Sequence, residues 1–433
     1  MIEPLLSSHY QKRKPSAIRQ AQITFSKRAD KDSVQVINLA IGNISLPMHP
    51  AMQKRMNSIS DNESDFKNGI IQYTPTVGTT EARKAFLNIL ESEEINCDNL
   101  KVLIADGGSQ AIELMMLGVC GPSSKKPLML LDPSYTNYIE FGKRLSIPIV
   151  TLPRYLNESG EFSNIKIDDI NNAIKRNDPG ALVVIPADNP TGQFISQKDL
   201  NKIIKLCVKN NIWIVSDEAY RQLYYEGNGP SSIWNADEET ISGVFGRRIS
   251  IESASKLWNA CGLRIGALIT DNIELHQAAV SEYTANLSPN AIGQYIFGAL
   301  AHEEHTSLQK WYEKQRNYYG KLMYSLRKSL IKELPGLIVS KPQSAMYMVI
   351  DFRNICHNSF NAKDFVHFCA GKGKVKLNGK FYTLMIAPMN EFYSNKLNQN
   401  KTQMRIAVVE PRNLLRKAPY ILKNLYKSYL VKN

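Results

Sequence analysis

The middle of the chain alternates short apolar runs with segments of helical periodicity, and this alternation constrains the fold more than any other feature. It predicts strands over residues 102–105, 127–131, 181–186, 212–216, 249–252 and 266–270. Each run is apolar throughout, which is typical of strands that helices cover on both faces. Successive strand–helix units build a mainly parallel sheet. We therefore predict an α/β fold with a large, mainly parallel sheet covered by helices on both faces.

The pattern changes in the last third of the chain, and this change suggests a second domain. A long polar helix is expected there, followed by strands over residues 345–351 and 404–408 and a final helix. The length of 433 residues leaves room for more than one domain. We predict a large domain over residues 60–308 and a smaller α/β domain from both termini, with an amino-terminal segment over 1–59 and a carboxyl-terminal part over 309–433.

The composition excludes several classes of protein. Hydrophobic residues make up 43% of the chain and charged residues 21%, which is typical of a globular protein and not of a disordered one. The net charge of +13 is spread along the sequence, so we expect a basic surface and no nucleic-acid partner. None of the six cysteines lies in a CxxC pair, so neither a metal site nor a disulfide framework is predicted.

The sequence also bears on cellular location. The basic residues near the amino terminus follow a very short apolar piece, which is the reverse of a signal peptide. No run reaches about 18 consecutive apolar residues, the length that a membrane-spanning helix needs. We expect a cytoplasmic protein that keeps its cysteines reduced and does not bind membranes.

Two polar turns follow predicted strands. Gly107-Gly108-Ser109-Gln110 connects a strand to a helix, and such a helix start is a natural seat for a phosphate group. Asn189-Pro-Thr-Gly192 lies beyond another strand, where ligands bind in open α/β sheets. Each turn taken alone also fits ordinary turn chemistry.

Two further strands end in ionisable side chains. Asp217 closes the run Ile212–Ser216, and Tyr220 follows three residues later. Taken alone, Asp217 also fits a helix cap and Tyr220 a core residue. Lys256 follows Ser253-Ala-Ser255 at the end of the next strand, and a lysine that emerges from a buried strand loses its proton more readily than a solvated one. Such an amine can form a Schiff base, although a strand-end lysine is more often only a surface side chain.

The order and spacing of these motifs resemble those of the class I/II, fold-type I pyridoxal-phosphate-dependent aminotransferases, the aspartate aminotransferase superfamily. The resemblance rests on Asn-Pro-Thr-Gly at 189–192, Asp-x-Ala-Tyr at 217–220, Ser-x-Ser-Lys at 253–256 and Gly-Leu-Arg-x-Gly at 262–266, and it extends from about residue 38 to residue 405. It implies a homodimer that binds pyridoxal 5'-phosphate and transfers amino groups from an L-amino acid to a 2-oxo acid by a ping-pong mechanism.

The resemblance also implies a role for each residue around the cofactor. Lys256 would form a Schiff base with the cofactor aldehyde and move the proton at the substrate Cα. Asp217 would pair with the protonated pyridine nitrogen, while Asn189 and Tyr220 would hydrogen-bond the ring oxygen. The remaining cofactor-binding residues would be Gly108, Ser109, Gln110, Ser253, Ser255 and Arg264 at the phosphate end, Tyr135 against the ring, and Tyr73 from the neighbouring subunit.

The substrate side of the resemblance is less complete. Arg405 matches the arginine that grips the substrate α-carboxylate through two hydrogen bonds, and Gly42 matches the loop that closes over it. Residues 281–286 contain no second arginine for a side-chain carboxylate, and Ser109 stands where another branch has a lysine. A strict preference for aspartate is therefore not expected. The tyrosines at 138, 283 and 295 suggest neutral or aromatic donors.

Two alternative functions share these motifs. A pyridoxal-phosphate-dependent β-eliminating C–S lyase would use the same lysine and the same acid. A transcriptional regulator with an aminotransferase-like fold would suit the positive charge, but only about forty residues precede the segment Leu39–Gly42, too few for a winged helix-turn-helix and its linker.

Overall fold

The structure is a computed structural model that describes residues 4–62, 64–225, 227, 229–394 and 398–432. The contacts divide the chain into two compact units. The large unit comprises residues 43–325 and 340–348, and the small unit comprises residues 1–42, 326–339 and 349–433. The domain boundaries predicted at residues 59/60 and 308/309 stay a prediction, because a compact unit of contacts need not be a domain that folds alone.

The strands in chain order are β1 (Val34–Asn38), β2 (Lys101–Asp106), β3 (Leu128–Asp132), β4 (Ile149–Pro153), β5 (Ala181–Val184), β6 (Trp213–Asp217), β7 (Arg248–Ser253), β8 (Ile265–Thr270), β9 (Ile338–Val339), β10 (Tyr347–Asp351), β11 (Val375–Leu377), β12 (Lys380–Met385), β13 (Ala387–Pro388) and β14 (Gln403–Ala407). The helices are α1 (Ser8–Gln11), α2 (Ala17–Ser26), α3 (Pro50–Asn57), α4 (Thr80–Glu91), α5 (Gly108–Val119), α6 (Thr136–Leu145), α7 (Ile167–Asn177), α8 (Gln197–Lys209), α9 (Ile273–Tyr283), α10 (Ala291–Gly298), α11 (His305–Glu333), α12 (Ala362–Gly371), α13 (Arg412–Leu415) and α14 (Ala418–Lys432).

A seven-stranded sheet in the order β2-β8-β7-β6-β5-β3-β4 forms the centre of the large unit. All of its strand pairs are parallel except those of β8, which runs antiparallel to β2 and to β7. The predicted α/β fold with a mainly parallel sheet is confirmed. Because β5, β6 and β7 are parallel neighbours, the turns that follow them lie along one edge of the sheet.

The helices of the large unit begin and end where their sequences indicate. Ser196 caps α8 by accepting a hydrogen bond from the amide of Asp199 at 3.2 Å, as its spacing predicted. One face of α8 is buried, with Leu200, Ile203 and Cys207 toward the core. The six predicted strands match β2, β3, β5, β6, β7 and β8, whereas β4 was not predicted. The residues of β4 are half-buried or exposed, which is typical of an edge strand.

The core of the large unit lies between the sheet and its helices. Apolar side chains of the strands pack against α5 and α6, and those of Val183, Val215 and Ile249 are nearly inaccessible to solvent. Fully burying each such side chain stabilises the fold by roughly 1.5–3 kcal/mol. The strands are therefore held rigidly under the turns that follow them.

The small unit contains two short sheets. One has the order β1-β12-β11, with β1 parallel to β12, and the other has the order β13-β14-β10-β9. Three aromatic rings pack around each other with centroids 4.8–6.2 Å apart: Phe352 after β10, Phe365 of α12 and Tyr426 of α14. Within the described part of the chain, no helix is long and apolar enough to cross a membrane.

Candidate active site

A cavity opens in the large unit at the carboxyl edge of the seven-stranded sheet. Its walls come from the turns after β2, β3, β5, β6 and β7, and from the loop before β8. The lining residues are Gly108, Ser109, Ile112, Tyr135, Ile185, Asn189, Asp217, Ala219, Tyr220, Ile251, Ser253, Ser255, Lys256, Cys261 and Arg264. The parallel order of the strands thus brings together motifs that lie up to about 150 residues apart in the sequence.

One end of the cavity is built to hold an anion. Gly107, with φ +77°, precedes α5 and has no side chain to cap the helix, so the first amides of α5 face the cavity. The guanidinium of Arg264 lies beside this turn and donates a hydrogen bond to the carbonyl of Asp106 at 3.2 Å. A Cβ at Gly266 would lie only 2.4 Å from the amide nitrogen of Gly108, so a glycine is needed there for β8 to approach the turn. A helix start beside an arginine is a strong site for a phosphate group.

Lys256 enters the cavity from the end of β7. The hydroxyl of Ser253 accepts a hydrogen bond from the amide of Ser255 at 3.1 Å, which fixes the turn that leads to Lys256. All three residues line the cavity, and the two serines are buried. The lysine amine is thereby presented to any molecule bound at the phosphate end.

Asp217 is a buried carboxylate with two hydrogen-bond donors. The Tyr138 hydroxyl donates to Oδ2 at 2.9 Å, and the amide of Ala219 donates to Oδ1 at 3.2 Å. Burial raises the pKa of Asp217 to about 6, while the Tyr138 hydrogen bond acts in the opposite direction. A cationic group placed against this carboxylate would favour its ionised form.

Tyr220 and Asn189 meet at the wall of the cavity. The side-chain amide of Asn189 donates to the Tyr220 hydroxyl at 3.5 Å, and the hydroxyl of Tyr347 lies 2.8 Å from the same oxygen. All three residues are buried. The arrangement presents a phenol and an amide, both of which can donate hydrogen bonds to an oxygen anion.

This donor set fits pyridoxal phosphate. The cofactor requires an amine for its aldehyde, an acid for its ring nitrogen, donors for its ring oxygen and a seat for its phosphate. Lys256, Asp217, Tyr220 and the Arg264 side of the cavity supply these four groups around one space. A mainly parallel α/β sheet that carries this set at its carboxyl edge defines a pyridoxal-phosphate enzyme.

Comparison with known proteins identifies the family. The profile described as "Aminotransferase class I and II" matches residues 34–408, so the chain belongs to the class I and II aminotransferase family. Curated relatives include an aspartate aminotransferase of Sulfolobus acidocaldarius, 26% identical over 81% of this chain and 83% of that protein, and aromatic-amino-acid aminotransferase 2 of Thermococcus litoralis, 24% identical over 71% and 75%. A double mutant of Thermus thermophilus aspartate aminotransferase shares the fold, with a TM-score of 0.79 at 20% identity, covering 98% of this chain and all of that one.

As a member of this family, the protein is a pyridoxal-phosphate-dependent aminotransferase. It moves an amino group from an L-amino acid to a 2-oxo acid in two half-reactions. The two relatives and the solved structure named above are aminotransferases, and neither the lyase nor the regulator hypothesis gains support from them.

Two residues predicted at the cofactor are not among those that line the cavity. Gln110 does not line the cavity, and its side-chain oxygen accepts a hydrogen bond from the amide of Asp106 at 2.9 Å. Tyr73 is 80% exposed and also lies outside the cavity wall formed by the described residues. Their contacts with the cofactor stay a prediction, which for Tyr73 requires a second subunit.

The three tyrosines that suggested aromatic donors do not line the cavity within the described chain. Tyr138 is buried behind Asp217, and the hydroxyl of Tyr283 donates to Asp106 at 3.3 Å. Tyr295 stacks under the guanidinium of Arg55 at 5.0 Å. Their positions therefore give no reason to prefer an aromatic donor.

The residues predicted to bind the substrate carboxylate lie in the small unit. Arg405 is in β14, its guanidinium lies 4.7 Å from the centroid of the Phe392 ring, and it donates a hydrogen bond to the carbonyl of Ala40. Ala40 belongs to the segment that follows β1 and leads to Gly42. The guanidinium and the predicted loop are thus neighbours within this unit.

Three residues support the site from behind, and the sequence assigned this supporting role to none of them. Tyr138 holds Asp217, Tyr347 contacts Tyr220, and Arg154 forms a buried ion pair with Asp188 at 2.8 Å. Arg154 also donates to the carbonyl of Pro133 at 2.8 Å, so it ties together the loops before Tyr135 and around Asn189. Only Tyr138 had a local signal, its spacing of three residues from Tyr135 at the start of a helix.

Proposed function

We propose that this aminotransferase uses Lys256 as the amine that binds the cofactor and as the base that takes the proton from the substrate Cα. The observation that carries the proposal is that Lys256, Asp217 and Arg264 all line the same cavity at the edge of the sheet. Bound pyridoxal phosphate supplies an aldehyde and an electron-withdrawing ring. The protein supplies position, charge and proton transfer.

Asp217 holds the ring nitrogen in its protonated form. The two donors on its oxygens fix the carboxylate in one orientation, and burial keeps water from competing for it. Pairing with a cation also offsets the cost of burying the carboxylate.

Asn189 and Tyr220 bind the ring oxygen, and the turn at Gly108 with Arg264 binds the phosphate. The supporting observation is that these residues line one cavity, with the phosphate seat after β2 and the phenol after β6. Ser109, Ser253 and Ser255 add hydroxyl donors at the phosphate end. The side chain of Asn137 donates to the hydroxyl of Ser109 at 3.2 Å and so orients it.

Arg405 binds the substrate α-carboxylate, and the segment ending at Gly42 covers it. A guanidinium offers two parallel hydrogen bonds to a carboxylate, and the ring of Phe392 packed against it supports its orientation. Residues 281–286 have no arginine and position 109 has no lysine, so we propose a neutral L-amino acid as the better donor. The two relatives named above differ in the substrate that their names give, aspartate in one and aromatic amino acids in the other.

The active form is proposed to be a cytoplasmic homodimer. One short segment exposes three large apolar side chains: Ile70 is 59% exposed, Ile71 58% and Tyr73 80%. Such a run of exposed apolar side chains favours burial against another chain. All six cysteines are free, which is compatible with a reducing compartment.

Covalent labelling tests the assignment of Lys256 independently of activity. Borohydride reduction of the enzyme loaded with pyridoxal phosphate should fix the cofactor on the peptide that contains Lys256. Lys256→Ala should fold, because the side chain points into a cavity, and it should lose the label and the turnover. Lys202→Ala, which removes an exposed lysine on α8, is the matched control and should keep both. A label on another lysine would contradict the assignment.

A donor screen tests the reaction class and the donor. The twenty amino acids are added one at a time to the loaded enzyme, with and without 2-oxoglutarate, while the cofactor absorbance is followed. A transaminase needs the 2-oxo acid for sustained turnover. Release of pyruvate and ammonia from an amino acid alone would instead indicate the lyase.

A further inference from the structure

The segment 340–348 belongs to the large unit, although its chain neighbours on both sides belong to the small unit. On one side it is bonded to the turn that carries Asn189. The amides of Gln343 and Ser344 both donate to the carbonyl of Gly192, at 3.0 and 2.9 Å. A Cβ at Gly192, where φ is +72°, would lie 2.3 Å from the carbonyl oxygen of Tyr347, so a glycine is required for this close approach.

On its other side the same segment is bonded to the chain that follows Tyr220. The amide of Ala345 donates to the carbonyl of Leu223 at 2.8 Å, and the amide of Tyr225 donates to the carbonyl of Gln343 at 2.8 Å. Backbone bonds on both sides therefore fix the segment between the two turns that carry Asn189 and Tyr220.

This segment delivers one side chain to the site. The hydroxyl of Tyr347 lies 2.8 Å from that of Tyr220, and the two rings meet edge to face with centroids 5.6 Å apart. Tyr347 is buried and is not among the residues that line the cavity, whereas Tyr220 is. In a contact between two hydroxyls one must donate and the other accept.

The direction of that hydrogen bond follows from the role of Tyr220. If Tyr220 donates its single proton to the ring oxygen of the cofactor, its own oxygen can only accept within the protein. The Tyr347 hydroxyl is then the donor, and the amide of Asn189 at 3.5 Å is a second, longer one. A hydroxyl that accepts a hydrogen bond becomes a stronger donor itself, because bonds in a chain polarise each other.

We propose that Tyr347 is a positioning residue that donates a hydrogen bond to Tyr220 and thereby strengthens the hydrogen bond from Tyr220 to the cofactor ring oxygen. The inference rests on the proposed function, in which Tyr220 binds that oxygen. Tyr347 acts through Tyr220 and is not assigned a contact with cofactor or substrate.

The test compares Tyr347→Phe with Tyr312→Phe in the enzyme loaded with pyridoxal phosphate. Tyr312 is a matched control, since its buried hydroxyl lies 2.9 Å from the hydroxyl of Ser92 and does not line the cavity. The readout is the pH at which the visible absorbance of the bound cofactor is half changed. A stronger donor favours the ionised ring oxygen, so Tyr347→Phe should raise this midpoint by about 0.3–1 unit. Tyr312→Phe should leave it unchanged.

A double-mutant cycle separates this role from general packing. Tyr220→Phe should raise the midpoint further than Tyr347→Phe, and adding Tyr347→Phe to it should have no additional effect. Incorporation of 3-fluorotyrosine at position 347 makes the hydroxyl a stronger donor with little change in shape, and it should shift the midpoint in the opposite direction. This second measurement keeps the test decisive if Tyr347→Phe folds poorly.

The two proposals fail in different ways. If borohydride fixes no cofactor on Lys256, the proposed site is wrong. If the cofactor is fixed there but neither Tyr347→Phe nor the fluorinated residue shifts the midpoint, or if the effects of Tyr220→Phe and Tyr347→Phe simply add, the role of Tyr347 is refuted.

Discussion

The buried carboxylate of Asp217 should make the cofactor-free protein less stable at neutral pH than at acidic pH. Its side chain is nearly inaccessible to solvent and has two neutral donors, the Tyr138 hydroxyl and the Ala219 amide. Burial raises its pKa from the ordinary 3.8 to about 6. Asp217→Asn removes the charge and keeps an oxygen that can accept a hydrogen bond.

The sign and size of the effect follow from linkage. Between pH 4 and 6 the folded protein holds a proton on Asp217 that the unfolded chain has lost, so stability falls as the pH rises through this window. A difference of about 2 pKa units corresponds to about 3 kcal/mol once the pH exceeds 6. The amide still has to be buried, so we expect Asp217→Asn to be about 1–3 kcal/mol more stable than the wild type above pH 7 and equal to it near pH 4.

Urea unfolding of the cofactor-free proteins at one fixed protein concentration, from pH 4 to pH 8, measures this difference. Asp199→Asn is a control for the same chemical change at an exposed position. The pKa of Asp199 is lowered, chiefly by its hydrogen bond to Lys202, so its carboxylate stabilises the fold and its loss should destabilise the protein at neutral pH. The two variants should therefore move in opposite directions.

Two outcomes would refute this reasoning. A gain for Asp217→Asn that is the same at pH 4 and pH 8 would show that charge is not its cause. No gain at any pH would show that the cofactor-free protein hydrates or pairs the carboxylate. In the loaded enzyme, Asp217→Asn should retain much of the cofactor and lose turnover by orders of magnitude, because an amide cannot balance the charge of the protonated ring nitrogen.

Three further predictions concern other parts of the protein. Arg405→Lys should weaken every amino donor by a similar large factor, because the α-carboxylate is common to all of them, and should leave the absorbance of the bound cofactor unchanged; a loss confined to one donor would argue against the clamp. Arg154→Gln and Arg248→Gln each break a buried ion pair, so each should destabilise the protein by about 3–5 kcal/mol. Only Arg154→Gln should also weaken cofactor binding, by tenfold or more, as measured by titrating the cofactor-free protein with pyridoxal phosphate. Tyr73→Ala should weaken cofactor binding without affecting the fold of one chain, and a fully active monomer in sedimentation would contradict the proposed dimer.

Much of the fold follows from local pattern. Continuous apolar runs indicated six strands of the large sheet, and a capping serine at 196 indicated the start of α8. The edge strand β4 was missed because its residues are only half-buried and so lack a continuous apolar signal. The predicted strand at 345–351 begins only at Tyr347, because the residues before it form backbone bonds with two loops of the large unit.

The sequence also determined which chemical groups the site contains. Strand ends are marked locally, and parallel neighbouring strands bring their carboxyl ends to one edge, so Asn189, Asp217 and Lys256 were predictable as members of one cavity. Their resemblance to a known family added the roles.

Only the tertiary structure decided which side chains hold these groups in position. Tyr138, Arg154 and Tyr347 reach the site from elements 79, 34 and 127 residues away from the partners that they hold, Asp217, Asp188 and Tyr220. A hydrogen bond between such distant residues depends on the packing of whole elements, and no local periodicity encodes it. The same packing decides the position of the Gln110 side chain, whose oxygen accepts a hydrogen bond from the amide of Asp106. Identity of the reactive groups is a property of the sequence, whereas their orientation and acidity depend on side chains that folding alone brings beside them.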